Sequence, residues 1–157
     1  MTRRDADSVG LPLRVRTASD IDMCVRVLRD VHQQHGYPVN WPADPRAWLT
    51  AAAGSAWVAL AAGDIAGHVA VSFDDDVAFV ERLFVAPARS GCGIGRALLR
   101  KAVSEARLRA AEVFLDVVAA EDTANALYRA EDWVEVARSP IDWGPSPAST
   151  LIRFRAP

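Results

Sequence analysis

Three glycines at alternate positions, Gly91, Gly93 and Gly95, stand in the stretch FVAPARSGCGIGRALL, between an apolar run and a helical pattern. A helix start carries about half a positive charge and several unpaired N–H groups, so acids are favoured there and bases disfavoured. Here Arg89, Arg96, Arg100 and Lys101 crowd that end, and no acid occurs between Ala86 and Ser104. Glycines also remove the side chains that would keep a ligand away from the exposed amides. The combination predicts a bound anion, and a phosphate group fits both features. A sharp strand-to-helix turn with solvated arginines is the plainer alternative. Two familiar phosphate loops are excluded: G-x-x-x-x-G-K-[ST] is absent, and G-x-G-x-x-G fails at Arg96 or at Leu98. Asp116 does stand at the end of the following strand, as a dinucleotide site would want. The strands before the loop read as antiparallel hairpins, however, which makes a nicotinamide-dependent oxidoreductase the weaker reading.

Two residues could move protons. Glu81 lies four residues before Val85, so strand alternation places both on one face. Flanked by Val80 and Leu83, its carboxylate would be partly desolvated and its pKa raised; the alternative is a solvated residue paired with Arg82. Tyr128 shares a helical stripe with Ala124 and Leu127, which on the residues alone reads as a core aromatic with its hydroxyl satisfied locally. Cys92 at a helix start has no accompanying histidine motif and reads as a small loop residue. His32 and His35 share a helix face but lack a third ligand, so no metal is expected. His68 reads as a structural strand residue, and Asp74 to Asp76 as a solvated turn.

The elements that must position these groups follow from periodicity and turn chemistry. Leu11 to Ala18 alternates like a strand. Ser19 and Asp20 offer a cap for a helix with the buried stripe Ile21, Cys24, Val25, Leu28 and Val31, stopping near Gly36. Asp44 caps a short helix with Pro45 at its first position, ending near Gly54. Strands are expected at Ala56 to Ala61, Ile65 to Phe73 and Val77 to Val85, the first two joined by a GD hairpin. After the glycines come a helix from Gly95 to Arg109, a strand from Glu112 to Val118 and a helix from Asp122 to Ala130. Strands at Trp133 to Ala137 and Thr150 to Arg155 close one mixed α/β sheet.

The bulk properties fit that scheme. The chain of 157 residues is 51% hydrophobic and 24% charged, enough for one domain with its own core. Residues 1–157 are read as a single domain, with 1–10 a flexible tail. A net charge of -2 disfavours nucleic acid as a partner. The most apolar stretch is broken by Gly63 and Asp64 and reads as two strands, not a membrane span. The MTRRDADSVG start has no apolar core of a signal peptide, so a cytoplasmic location is expected.

The segment ERLFVAPARSGCGIGRALL resembles the signature of the GNAT superfamily, the acyl-CoA-dependent N-acyltransferases. There [QR]-x-x-G-x-[GA] follows a strand ending in an apolar-Val-x-Pro pattern. Gly93 and Gly95 take the two small positions, and Pro87 and the Leu98–Leu99 pair also match; Ser90 stands where arginine or glutamine is usual, with Arg89 one residue early. AEDTANALYRAEDW resembles the later family motif N-x-x-A-x-x-L-Y-x-x-x-G-F. Ala124, Leu127 and Tyr128 match, while Glu121, Asp132 and Trp133 replace asparagine, glycine and phenylalanine. Asp132 can still end the helix in a left-handed conformation.

The resemblance implies a GNAT-like α/β fold, a mostly antiparallel sheet of about seven strands flanked by about four helices. It implies an N-acetyltransferase that uses acetyl-CoA as co-substrate in a ternary complex. The acceptor would be a primary amine of a small molecule or an amino terminus. A non-catalytic acyl-CoA-binding or regulatory domain is the alternative that the changes at Glu121 and Asp132 keep open. By the resemblance, Leu83, Phe84 and Val85 hold the coenzyme with Arg89, Ser90, Gly91, Cys92, Gly93, Ile94, Gly95 and Arg96, mostly through main chain. Glu81 would act as base, directly or through water, and Tyr128 as acid to the leaving sulfur. A backbone N–H near Phe84 or Val85 would receive the oxyanion where the strand splays from its neighbour. His32, Tyr37, Trp41 and Trp143 are the candidates for the acceptor pocket. Homodimers are common among such proteins; no membrane and no nucleic acid are implied.

Overall fold

The computed structural model describes residues 11–51 and 54–157 of the chain, so the tail expected over residues 1–10 lies outside the described residues. The elements run β1 (Leu13–Val15), α1 (Ile21–His35), α2 (Pro45–Thr50), β2 (Gly54–Ala61), β3 (Asp64–Asp74), β4 (Val77–Val85), α3 (Ile94–Ala106), β5 (Glu112–Val118), α4 (Asp122–Ala130), β6 (Val134–Pro140) and β7 (Thr150–Arg155). The strands form a single seven-stranded sheet in the order β1-β2-β3-β4-β5-β7-β6. Every neighbouring pair is antiparallel except β4 with β5. The expected mixed sheet with four α-helices is what forms.

Local chemistry explains the boundaries. Thr17 and Asp20 close a capping box ahead of α1, and Gly36 ends that helix at φ 72°. Asp44 accepts from the Ala47 N–H at 3.0 Å, the cap expected for α2, but this helix stops at Thr50, short of Gly54. The β2–β3 hairpin turns on Ala62 and Gly63, both with positive φ, so Asp64 already pairs with Ala61 in the ladder. The turn is therefore one residue earlier than GD, in the geometry that matches strand twist. Asp132 takes a φ of 65° after α4, the left-handed ending its motif position requires.

β2 and β3 are buried along most of their length because helices cover both faces of the sheet. One core joins Val69, Val71, Ala78 and Val80 to Ile94, Leu98 and Leu99 of α3, and to Tyr128 of α4. The other joins Val58, Ile65 and Phe84 to Cys24, Leu28 and Val31 of α1 and Leu49 of α2.

Two irregularities of β4 matter most. The β3–β4 register breaks between His68 and Ala70, where Arg82 adopts a φ of 51°. This bulge puts Arg82 and Leu83 opposite Val69 alone. The β4–β5 pairing covers only Val77 to Phe79 against Glu112 to Phe114. Beyond Phe79 the two strands separate, and a wedge opens in the sheet. Among the described residues no helix is long and apolar enough to cross a membrane.

Candidate functional site

The glycine loop opens at the wide end of the wedge. Gly91 and Gly93 have φ values of 77° and 81°, and a Cβ on either would meet nothing within 4 Å. Backbone conformation, together with open space above the loop, accounts for both glycines. Gly93 caps α3 without any side-chain hydrogen bond, and the first backbone bond of the helix runs from the Ala97 N–H to the Gly93 carbonyl. The N–H groups from Gly91 to Arg96 have no partner among the described residues. Six successive amides at a helix start are thus left as donors, with open space above Gly91 and Gly93, which suits a pyrophosphate. The charge reading needs one correction. Arg96 and Arg100 are not left uncompensated: Glu131, just past the end of α4, forms an ion pair with each at 2.7 Å and accepts a hydrogen bond from Arg100. A scan of the local sequence could not register an acid that folding brings from 31 residues away. Arg89, Ser90 and Cys92 are exposed on the loop.

One wall of the wedge is β4. The bulge overturns the expectation that Glu81 and Val85 share a face. Val80 and Val85 both pack toward the α3 core, whereas Phe84 turns to the α1 core. Period-two alternation holds on each side of the bulge and slips across it. Glu81 is also less enclosed than its flanking residues suggest: its side chain is 36% exposed and accepts from Arg82 Nη1 at 2.9 Å. Arg82 in turn donates from Nε to the Trp48 carbonyl at 2.7 Å and lies over the Trp48 ring at 4.6 Å. The Ala86 N–H bonds the Ala66 carbonyl of β3. By alternation the Leu83 and Val85 amides therefore face away from β3, into the wedge, and the Phe84 amide does not.

The opposite wall is the end of β5 with α4. Tyr128 is 8% exposed and packs at a tilt against Trp133 and Phe154, and its hydroxyl has no hydrogen bond among the described residues. Burial, then the neighbouring Glu121 charge, pushes its phenol well above the ordinary range. Glu121 caps α4 by position only: its carboxylate makes no capping bond and no ion pair among the described residues. Burial pushes that carboxyl up. Asn125, which sequence reasoning missed, donates from Nδ2 to the carbonyls of Glu121, Val118 and Ala119 at 2.8, 3.3 and 3.4 Å. Its buried Oδ1 has no partner.

Tyr37 joins the two walls. Its phenol is pushed up by burial first and then by Tyr128 and Glu121 together, and its ring meets Trp48 edge-on at 6.3 Å. Trp48 and Arg82 were absent from the candidates, since neither carries a motif. His32 donates from Nδ1 to the Pro38 carbonyl at 2.7 Å and packs on Trp41 at 5.3 Å, while Arg29 covers the same indole at 5.4 Å. His32 and Trp41 thus shape the loop after α1 by packing on each other. Trp143 is 48% exposed, and its carbonyl accepts from Asn40, tying the β6–β7 loop to that same loop. No group of three potential metal ligands occurs among the described residues.

Residues 22–131 match the model of the Acetyltransferase (GNAT) family. No curated protein matches the chain in sequence. Among solved structures, the ribosomal-protein-S18-alanine N-acetyltransferase of Escherichia coli is similar at a TM-score of 0.75 with 19% identity, over 94% of this chain and 93% of that one. An N-acetyltransferase from Staphylococcus aureus Mu50 gives a TM-score of 0.79 with 14% identity, over 93% and 97% of the two chains. The yncA protein of Salmonella typhimurium, solved with its cofactor acetyl-CoA, gives 0.75 with 18% identity, over 93% and 92%. At these identities the likeness is one of fold.

Proposed function

The chain belongs to the GNAT acetyltransferase family, whose co-substrate is acetyl-CoA, and from that membership we propose that it acetylates a primary amine, on a small molecule or an amino terminus, by direct transfer inside the wedge. The observation that carries this reading is the run of six unpartnered amides from Gly91 to Arg96 at the mouth of a wedge with Glu81 on one wall and Tyr128 on the other. Acetyl-CoA, when bound, supplies an activated acetyl thioester. The loop amides hold its pyrophosphate, and the Leu83 and Val85 N–H groups receive the acetyl oxygen as negative charge develops there. Glu81 takes the proton that the acceptor ammonium must lose before its nitrogen can attack. Its exposure lets a water molecule relay that proton, and the bond from Arg82 keeps the carboxylate in one place. Tyr128 supplies a proton to the thiolate as it leaves. Tyr37 and Trp48 make the apolar end where the acceptor's carbon skeleton would lie, beside the Glu121 carboxylate.

Calorimetric titration with acetyl-CoA, beside NADH and ATP, tests the cradle; thiol release with a panel of amines tests the reaction. Binding of acetyl-CoA alone, with turnover lost in Glu81→Gln but binding retained, is the expected result. Acetyl-CoA binding without thiol release from any amine would favour a non-catalytic acyl-CoA-binding domain, and binding of NADH instead would overturn both.

A further inference from the structure

We propose that His68 is a positioning residue for acetyl transfer: from inside the core it clamps the Arg82 carbonyl at the β4 bulge and so fixes the Leu83 and Val85 amides facing the wedge. This rests on the reaction proposed above, but the clamp itself does not. His68 is 0% exposed. Its Nε2 lies 2.9 Å from Nη1 of Arg16, and its Nδ1 lies 2.9 Å from the Arg82 carbonyl oxygen. A guanidinium has no lone pair to offer, so Nε2 must accept from Arg16. The proton of the neutral ring then sits on Nδ1 and is donated to Arg82. Both nitrogens are satisfied, and the tautomer is set by its partners. Burial lowers the imidazole pKa to about 4, so the same neutral form persists across the physiological range.

The location of this bond gives it a purpose. A left-handed arginine inside a strand is strained, and such strain persists only where the surroundings over-determine it. Here they do. The Arg82 carbonyl is held by His68, its Nε by the Trp48 carbonyl, and its Nη1 by Glu81. The His68 ring stacks on Phe84, the residue whose side chain the bulge turns to the α1 core, at 5.0 Å and 14° between planes. Arg16 is anchored in turn on the Leu49 carbonyl at 2.9 Å. A filler at a core position would need no nitrogen. This side chain spends one nitrogen on the displaced strand residue Arg82 and the other on Arg16, which fixes its tautomer, and bulges next to reacting centres re-aim the backbone.

Three proteins distinguish this role from packing. His68→Phe keeps an aromatic ring on Phe84 and removes both bonds. His68→Asn loses the ring but retains an amide that can donate to the Arg82 carbonyl. If the clamp matters, kcat falls about 10-fold or more in His68→Phe, because an oxyanion donor is misplaced without being deleted. The Kd for acetyl-CoA, to which the glycine-loop amides outside the bulge still contribute, changes less than about 3-fold. His68→Asn recovers most of kcat even where its melting temperature is the lower of the two, an order that packing alone reverses. Retention of kcat in His68→Phe, or a loss in both variants that simply follows melting temperature, would overturn the proposal. A second readout needs no turnover: nitrogen NMR of the wild-type ring should report protonated Nδ1 and bare Nε2 between pH 5 and 8. In His68→Phe the Leu83 and Val85 amide signals should shift while those of Gly91 to Arg96 stay. If those signals do not move, the clamp is wrong whatever the enzyme does; if they move but no amine is acetylated, the clamp stands and the reaction is wrong. Should His68→Phe not fold, Arg16→Met removes the partner of Nε2, and loss of its fixed tautomer is the expected signal.

Discussion

The two walls of the wedge are built on opposite principles. On the β4 wall nearly every polar group is partnered: Glu81 with Arg82, Arg82 with Trp48 and His68, and His68 with Arg16. On the α4 wall the groups facing the wedge are left wanting. The Glu121 carboxylate and the Tyr128 hydroxyl have no hydrogen bond among the described residues, and a buried oxygen of Asn125 is orphaned. A saturated network of this kind holds backbone in a strained shape, so that amides and one carboxylate keep fixed positions. An unsaturated one keeps its donors and acceptors available to a ligand, at a cost in stability. The difference separates positioning from proton chemistry within one cleft.

Exchanging carboxylates across the wedge is the strongest attempt to break that contrast. Glu81→Gln is expected to lower kcat by about 10³-fold with acetyl-CoA affinity unchanged, since a positioned base contributes in that range. Glu121→Gln should leave kcat within a few fold. If the two losses are interchanged in a thiol-release assay, the base sits on the α4 wall and the ion-paired Glu81 is purely structural. Tyr128→Phe comes next, with kcat down about 10²-fold and little change in melting temperature, because its hydroxyl supports nothing in the free protein. A Tyr128→Phe variant that turns over normally would remove the acid from the unsaturated wall.

The contrast also explains what could be read from the sequence. The strand and helix order, the bounds of β4, β5, α4 and β7, and the glycine loop were all legible, because turn residues and apolar periodicity act over a few positions. The bulge was not. It depends on His68 of β3 and on Trp48 at α2, neither of them near β4 in the chain, and it undid the shared face assigned to Glu81 and Val85. Glu131 pairing with Arg96 and Arg100 escaped for the same reason. Tyr128 and Glu121 could be named from their motif, yet their lack of partners is a property of the folded cleft.

Asn125 sharpens the comparison as the one satisfied donor of the α4 wall. Its Nδ2 holds three carbonyls at the β5–α4 junction, so Asn125→Leu leaves those acceptors without their donor. A loss of about 1–2 kcal/mol in denaturant unfolding is expected, comparable to other buried hydrogen-bond deletions. Retained stability would mean that the junction is held by backbone bonds alone.

The smallest effect has the opposite sign. Burial raises the Glu121 carboxyl pKa in the folded chain, with no partner to offset the desolvation. The folded state therefore binds a proton more readily than the unfolded state, and between the two pKa values stability falls as pH rises. At neutral pH the penalty is fully present; it is relieved as pH drops through the raised folded value toward the ordinary glutamate range. Glu121→Gln never carries that charge. It should be more stable than the parent at pH 7, by about half a kcal/mol for a group that is only partly buried. That advantage should shrink to nothing under acid, where the parent's carboxyl is protonated too. Unfolding curves for the two proteins that stay parallel from pH 4 to pH 8 would mean that Glu121 is already solvated or paired, and that the α4 wall holds no unsatisfied charge to offer an incoming amine.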